Sequence, residues 1–174
     1  QEYIDKDAPD IYPEELRYDI DALNDVIYAD VNLAVNLAAL AGTQEEYEYY
    51  YDLVFDRLDW LEERLSTRRY LMGDTITSPD IRLFVTLTRF DLVFYQKYLL
   101  NKKRLVDYPN LWNYAKDLFS NPAFGGNTDF NSMRLRFYYV DHTPFADMPR
   151  LMPKGPDDSR WLEPNDRAEK FSKK

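Results

Sequence analysis

Apolar positions recur along this chain with a helical period, broken at a few short polar or glycine- and proline-bearing joints. Leu16, Ile20, Leu23 and Ile27 fall at intervals of four, three and four, which is one face of a helix. Pro13 stands where a first turn tolerates proline, and Glu14 and Glu15 favour the positive end of the helix dipole. The pattern continues through Val31, Ala34, Val35 and Ala38 and stops near Gly42, so it predicts one long helix over 13–41. From Val31 to Ala41 the residues are apolar or small almost all round, as in a helix packed on more than one side. Thr43 with Glu46 reads as a capping box opening a second helix that ends near Ser66. Its buried stripe is Tyr47, Tyr51, Val54, Leu58, Leu61 and Leu65; Glu48, Asp52, Asp56, Glu62, Glu63 and Arg64 read as its solvated side. So short a joint makes the two helices antiparallel.

Arg68 to Thr75 reads as a turn centred on Gly73-Asp74. The next six residues, Ile76-Thr77-Ser78-Pro79-Asp80-Ile81, carry two start signals at once. Thr77 and Asp80 form a capping box, and Ile76 and Ile81 occupy the positions of a hydrophobic staple. Phe84, Leu87, Thr88, Phe90, Leu92, Phe94, Tyr95 and Tyr98 follow, apolar on most sides, which predicts a central helix. Pro109 starts a fourth helix, with Leu111, Trp112, Tyr114, Ala115, Leu118 and Phe119, and Asn121-Pro122 ends it. Gly125-Gly126 breaks the chain again, and Thr128 caps a fifth helix with Met133, Leu135, Phe137 and Tyr138. Beyond it Pro144, Pro149, Pro153, Pro156 and Pro164 forbid a long helix, so 140–174 reads as an extended tail on the domain, frayed at Lys173-Lys174. The expectation is an all-α bundle of about five main helices with a proline-rich tail.

Composition narrows the function. Thirty-one acidic against 22 basic residues in 174 give a net charge of −9, which repels phosphate backbones and argues against a nucleic-acid partner. The absence of cysteine excludes disulfides, thiolate metal sites and a thiol nucleophile within these residues. Five glycines leave no dinucleotide fingerprint or phosphate loop. No apolar run reaches membrane-spanning length and no basic-then-apolar leader is seen, so a cytoplasmic, membrane-free protein is expected. The chain begins with Gln, which reads as a processed or cut species. Fifteen Tyr, ten Phe and three Trp fit a core built of large rings, or a concave site for flat apolar ligands. His142, the single histidine, supports no triad or metal site, and the pairs Glu45-Glu46, Glu62-Glu63 and Asp157-Asp158 read as solvated charges. No catalytic residue, metal or cofactor is therefore expected in these residues.

The antiparallel pair, then Tyr70-Leu71-Met72-Gly73-Asp74, then Thr77-Ser78-Pro79-Asp80-Ile81 opening a buried helix, resembles the C-terminal domain of glutathione transferases. Pro13-Glu14-Glu15-Leu16, Asp80-Ile81-Arg82-Leu83-Phe84, Thr88-Arg89-Phe90-Asp91, Asp107-Tyr108-Pro109-Asn110-Leu111 and Gly155-Pro156 resemble one branch, the glutathionyl-hydroquinone reductases or Xi-class transferases. The resemblance runs from about residue 10 to 157. It implies 1–12 as a linker from an absent thioredoxin-like domain, 13–139 as the helical domain and 140–174 as its tail. That other domain would bind glutathione and carry a cysteine that attacks the sulfur of a glutathionyl-hydroquinone. The quinol leaves, and a second glutathione resolves the mixed disulfide. The helical domain would supply the wall for a quinone-like aromatic substrate and the contacts of a homodimer.

The resemblance places substrate contacts at Val35, Asn36, Phe90, Tyr138 and Tyr139. Asn32-Leu33-Ala34-Val35-Asn36 stands where the family has a run like Asn-Asn-Gly-Val-Tyr, so Asn36 takes a tyrosine's place. Phe137-Tyr138-Tyr139 stands for a His-Tyr-Tyr-like run, with both tyrosines kept. Loss of the phenol at 36 weakens oxyanion stabilisation on a quinone and points to a divergent substrate. The competing reading is a transferase-like interaction module without chemistry.

Overall fold

The computed structural model describes residues 8–140 and 151–172, the side chain of Val140 excepted. The first seven residues, His142, Pro144, Pro149 and Lys173-Lys174 lie outside them. The described residues are helical with no strand; their only extended pairing is the bridge between Tyr70 and Gly73. Seven helices are numbered here in chain order.

Helix α1 covers 14–40, as expected, but it is not uniform. A 3-10 turn at Glu14–Leu16 leads into α-helix Arg17–Ile27, a π segment Tyr28–Leu33, and α-helix Ala34–Leu40. Its first part lies along the central helix α3 (78–97) and its last part along α2 (Gln44–Arg64), and the π segment touches both. The buried line Ile20, Leu23, Ile27, Val31, Ala34, Val35 and Ala38 continues through that change of partner. The second half is not covered on every side, because Leu33 and Leu40 remain 39% and 79% exposed. Arg57 of α2 clasps Asp30 at 2.6 Å beside the π segment.

Thr43 caps α2, its hydroxyl accepting from the Glu46 amide at 3.2 Å. The return bond differs from a reciprocal box: the Glu46 carboxylate accepts from Gly42 N–H, one residue earlier. Val54, Leu58, Leu61 and Leu65 are buried as expected, joined by Phe55, while Tyr47 and Tyr51 are half-buried. Two residues assigned to the solvated side do structural work. Glu62 accepts from Asn110 N–H at 2.8 Å and Leu111 N–H at 2.7 Å, capping α4 (Pro109–Ser120) from a neighbouring helix. Arg64 donates to the Leu71 carbonyl at 3.0 Å.

The turn before α3 closes on itself: Tyr70 N–H reaches Gly73 O at 2.8 Å, with Gly73 at φ +130°, a region that favours glycine. Helix α3 covers 78–97, as α-helix Ser78–Arg89, π segment Phe90–Phe94 and a last turn Tyr95–Lys97. A 3-10 turn Leu105–Asp107 precedes α4, and its first amide donates to Asp91 of α3.

Helix α5 (Pro122–Gly125) occupies the break expected at Gly125-Gly126. A Cβ on Gly125 would sit 2.1 Å from the Phe119 carbonyl, so no larger residue fits there. Helix α6 covers 130–140, Phe130–Arg134 continued by π segment Leu135–Val140. Its cap is Asp129, which accepts from Ser132 N–H at 3.0 Å; Thr128, expected in that role, donates its hydroxyl to Phe124 O.

The described part of the tail is not simply extended. It forms a 3-10 helix Asp158–Leu162 and a short α7 (Arg167–Lys170), and two side chains anchor it. Trp161 packs against Trp112, Phe119 and Phe130 with ring centroids 4.9–5.5 Å apart. Arg167, only 1% exposed, donates to the carbonyls of Leu65, Arg68 and Arg69 and so ties α7 to the end of α2. Arg134 holds Asp158 with two bonds of 2.6 and 2.7 Å.

Candidate functional site

Helix α3 begins on a buried carboxylate. Asp80 is fully buried, and its two oxygens accept four bonds: Thr77 N–H at 2.8 Å, Thr77 hydroxyl at 3.1 Å, Leu71 N–H at 2.9 Å and Tyr114 hydroxyl at 2.7 Å. Burial pushes its carboxyl above the usual range, and the four donors pull it back. The network fixes the turn before α3, the first turn of α3 and the middle of α4 to one another. Of the expected staple, Ile76 is half-buried on the core, whereas Ile81 is 39% exposed and lines an open groove.

That groove, of about 610 Å³, runs between α1 and α3. Asn24, Tyr28, Asn32 and Asn36 of α1 form one wall at four-residue steps. In a plain α-helix each such step overshoots a full turn by about 40° and would carry the fourth residue round the helix. The wider π turn at Tyr28–Leu33 subtracts from that drift and keeps all four on one side. Ile81, Arg82, Val85, Thr86 and Arg89 of α3 form the facing wall, and Phe94 and Phe137 close one end. Amide and hydroxyl bonds stitch the walls together: Asn24 Nδ2 donates to Ser78 Oγ at 3.0 Å, Arg82 Nε to Asn24 Oδ1 at 3.1 Å, and Asn32 Nδ2 to Thr86 Oγ1 and the Arg82 carbonyl. Asn32 Oδ1 is buried without a partner.

A second, smaller groove of about 280 Å³ lies on the other side of α3, against α5 and α6. Ile81, Val85 and Arg89 line both, so one stripe of α3 forms a ridge between them. Arg89 donates through Nη1 to the Val85 carbonyl and to Thr88 Oγ1 at 3.3 Å. Burial lowers its pKa, with no carboxylate acting against that effect.

The residues expected to contact substrate do not all meet here. Asn36 lines the groove, its Nδ2 donating to the Asn32 carbonyl at 2.8 Å. Val35 and Phe90 are fully buried in the core, Phe90 with its ring against Phe55 and Phe94, and neither is among the residues that line the groove. Tyr138 is half-buried and donates its hydroxyl to the Leu92 carbonyl at 2.9 Å, within the π segment of α3. A π turn displaces backbone bonds, and this phenol satisfies one of the carbonyls involved. Tyr139 is 40% exposed, and the ring of this run that lines the groove is Phe137. Sequence reasoning passed over Asn24, Tyr28, Asn32, Arg82, Thr86 and Arg89. The signal was the four-residue ladder of polar residues on α1 facing 82, 86 and 89 on α3. Among the described residues no group of three or more His, Cys, Asp or Glu converges on a metal position, and no helix is long and apolar enough to cross a membrane.

The fold belongs to a known class. Residues 44–117 match the family described as glutathione S-transferase, C-terminal domain, and the chain carries such a domain. Its homologues are glutathionyl-hydroquinone reductases and Xi-class glutathione transferases. The glutathionyl-hydroquinone reductase PcpF of Sphingobium chlorophenolicum is 39% identical over 147 residues, covering 84% of this chain and 46% of that protein. A glutathione transferase structure from Gordonia bronchialis superposes with a TM-score of 0.90 at 43% identity, covering 99% of this chain and 53% of that one. The glutathione-bound structure of the transferase homologue YqjG from Escherichia coli gives 0.86 at 34% identity, covering 94% and 52%. The chain thus spans about half the length of the relatives it matches.

Proposed function

We propose that this chain is the substrate-binding half of a glutathione-dependent reductase or transferase, and that the groove between α1 and α3 is the wall against which a flat aromatic substrate lies. The carrying observation is the groove itself: Tyr28, Ile81, Val85, Phe94 and Phe137 give it apolar faces, and the amides of α1 give it hydrogen-bonding groups along one edge. The reactive thiol then belongs to a part of the protein outside these 174 residues, which contain no cysteine. The kinship with glutathionyl-hydroquinone reductases supports glutathione as the thiol and a quinol as the released product. The exposed Leu33 and Leu40 on α1 support docking of a second copy of the chain. Asn36 in place of a phenol, and Tyr138 with its hydroxyl donated to a backbone carbonyl, leave any oxyanion on the substrate to be met by groups other than these two.

Menadione titrated against the chain, read by quenching of its tryptophans, tests this. One saturable site that Val85→Trp abolishes by filling the groove is the expected result. Uptake that does not saturate, or that Val85→Trp leaves untouched, favours the interaction-module reading. Purified chain with glutathione and a glutathionyl-hydroquinone should show no turnover above buffer.

A further inference from the structure

The groove's charge is at odds with the rest of the molecule. The chain carries 31 carboxylates and a net charge of −9, yet none of the described residues lining either groove is acidic, and two are arginines. Their surroundings differ. Arg82 is exposed, bonded to Asn24 and placed 5.6 Å over the Tyr28 ring. Arg89 is half-buried in the ridge shared by both grooves, and its two bonds both leave from Nη1 to neutral oxygens of its own helix. Other buried guanidiniums in the chain reach beyond their own helix: Arg134 bonds Asp158, and Arg167 gives its two terminal nitrogens to three carbonyls of another segment, its Nε alone being without a partner. Arg89 is left with the Nε and Nη2 side of its fork turned to no acid, at the junction of two apolar clefts. A guanidinium presents a planar pair of donors matched to an oxyanion, and removing it from water raises the strength of such a bond.

We propose that Arg89 anchors an anionic substituent of the aromatic ligand, so that this site selects arenes bearing a sulfonate, carboxylate or ionised phenol over their neutral counterparts. The ring lies along Ile81 and Val85 toward Phe94 and Phe137, and the anion meets the arginine fork at the ridge. The inference rests on the groove being the aromatic site, and adds the chemical class of what binds there.

Two fluorescent probes with the same ring system separate the two ideas. 8-Anilinonaphthalene-1-sulfonate carries the anion; N-phenyl-1-naphthylamine does not. The unmodified chain should bind the sulfonate about tenfold more tightly, the factor expected of one charge-assisted bond in a partly desolvated site. Arg89→Met should bring the sulfonate to the affinity of the neutral probe and leave the neutral probe unchanged; Arg89→Lys should keep part of the preference. If circular dichroism shows Arg89→Met to be unfolded, Val85→Glu serves instead, since an acid four residues before Arg89 occupies its fork and should abolish the preference. Saturable binding of the neutral probe with no preference, or a preference that survives Arg89→Met, overturns this inference and leaves the groove as the aromatic site. Failure of both probes to bind saturably overturns both. Sodium sulfate that displaces the sulfonate probe, when sodium chloride of equal ionic strength does not, assigns Arg89 to free inorganic anions and removes the aromatic part.

Discussion

Asp80 and Arg89 stand nine residues apart on helix α3, and both are charges withdrawn from water. Their surroundings are opposite. Asp80 meets four donors from three segments of the chain and has no contact with solvent. Arg89 meets two neutral oxygens of its own helix and borders open space on two sides. A buried charge with every lone pair answered holds a fold together, because removing it strands all of its donors at once. A half-buried charge with donors to spare costs desolvation and returns little to stability. The buried side of the start of α3 is therefore built for folding, and the open ridge that leads to Arg89 for a ligand.

Substitutions can break or sharpen that contrast. The largest effect is expected for Asp80→Ala, which strands the Leu71 amide, the Thr77 amide and hydroxyl and the Tyr114 hydroxyl; about 3 kcal/mol or more of unfolding free energy should be lost in urea titrations. An unchanged urea midpoint would falsify the hub. Arg167→Met removes a buried guanidinium whose two terminal nitrogens tie α7 to another segment, and so serves as the control for Arg89: three carbonyls lose their donor, and a loss of about 2 kcal/mol is expected by the same titration. Glu62→Ala removes the cap on α4 from α2 and should cost about 1 kcal/mol, with amide hydrogen exchange speeding up at Asn110 and Leu111 before elsewhere in α4. Arg89→Met should move the urea midpoint least, by the equivalent of about 0.5 kcal/mol or less. A loss as large as that of Arg167→Met would show that Arg89 is a structural residue and erase the contrast.

The sequence carried the helices well where apolar spacing and capping chemistry agreed. Leu58, Leu61 and Leu65 on α2, the start of α3 at Ser78 and the whole of α4 lie where periodicity puts them. It did not carry the π segments, since inserting a wider turn leaves the apolar pattern of Ile27, Val31 and Ala34 unbroken while altering which polar residues share a face. That is why Asn24, Tyr28, Asn32 and Asn36 escaped notice as one wall. Of the residues that motif likeness named, Asn36 lines the groove and the others do not. Val35 and Phe90 are core, and the Tyr138 hydroxyl serves a backbone carbonyl, because a pattern of residue types does not say which of two adjacent residues faces the open side. Long-range roles such as Glu62 on α4 and Arg167 on the turn after α2 depend on contacts between segments 48 and about 100 residues apart, which spacing along one helix does not encode.

The central claim is that a flat aromatic ligand lies between α1 and α3. Amide shift changes in a 15N-labelled chain titrated with menadione read this directly. Changes confined to residues 24–36, 81–94 and 137 are the expected result. Changes centred on Trp112, Phe130 and Trp161, beneath the tail, would contradict it.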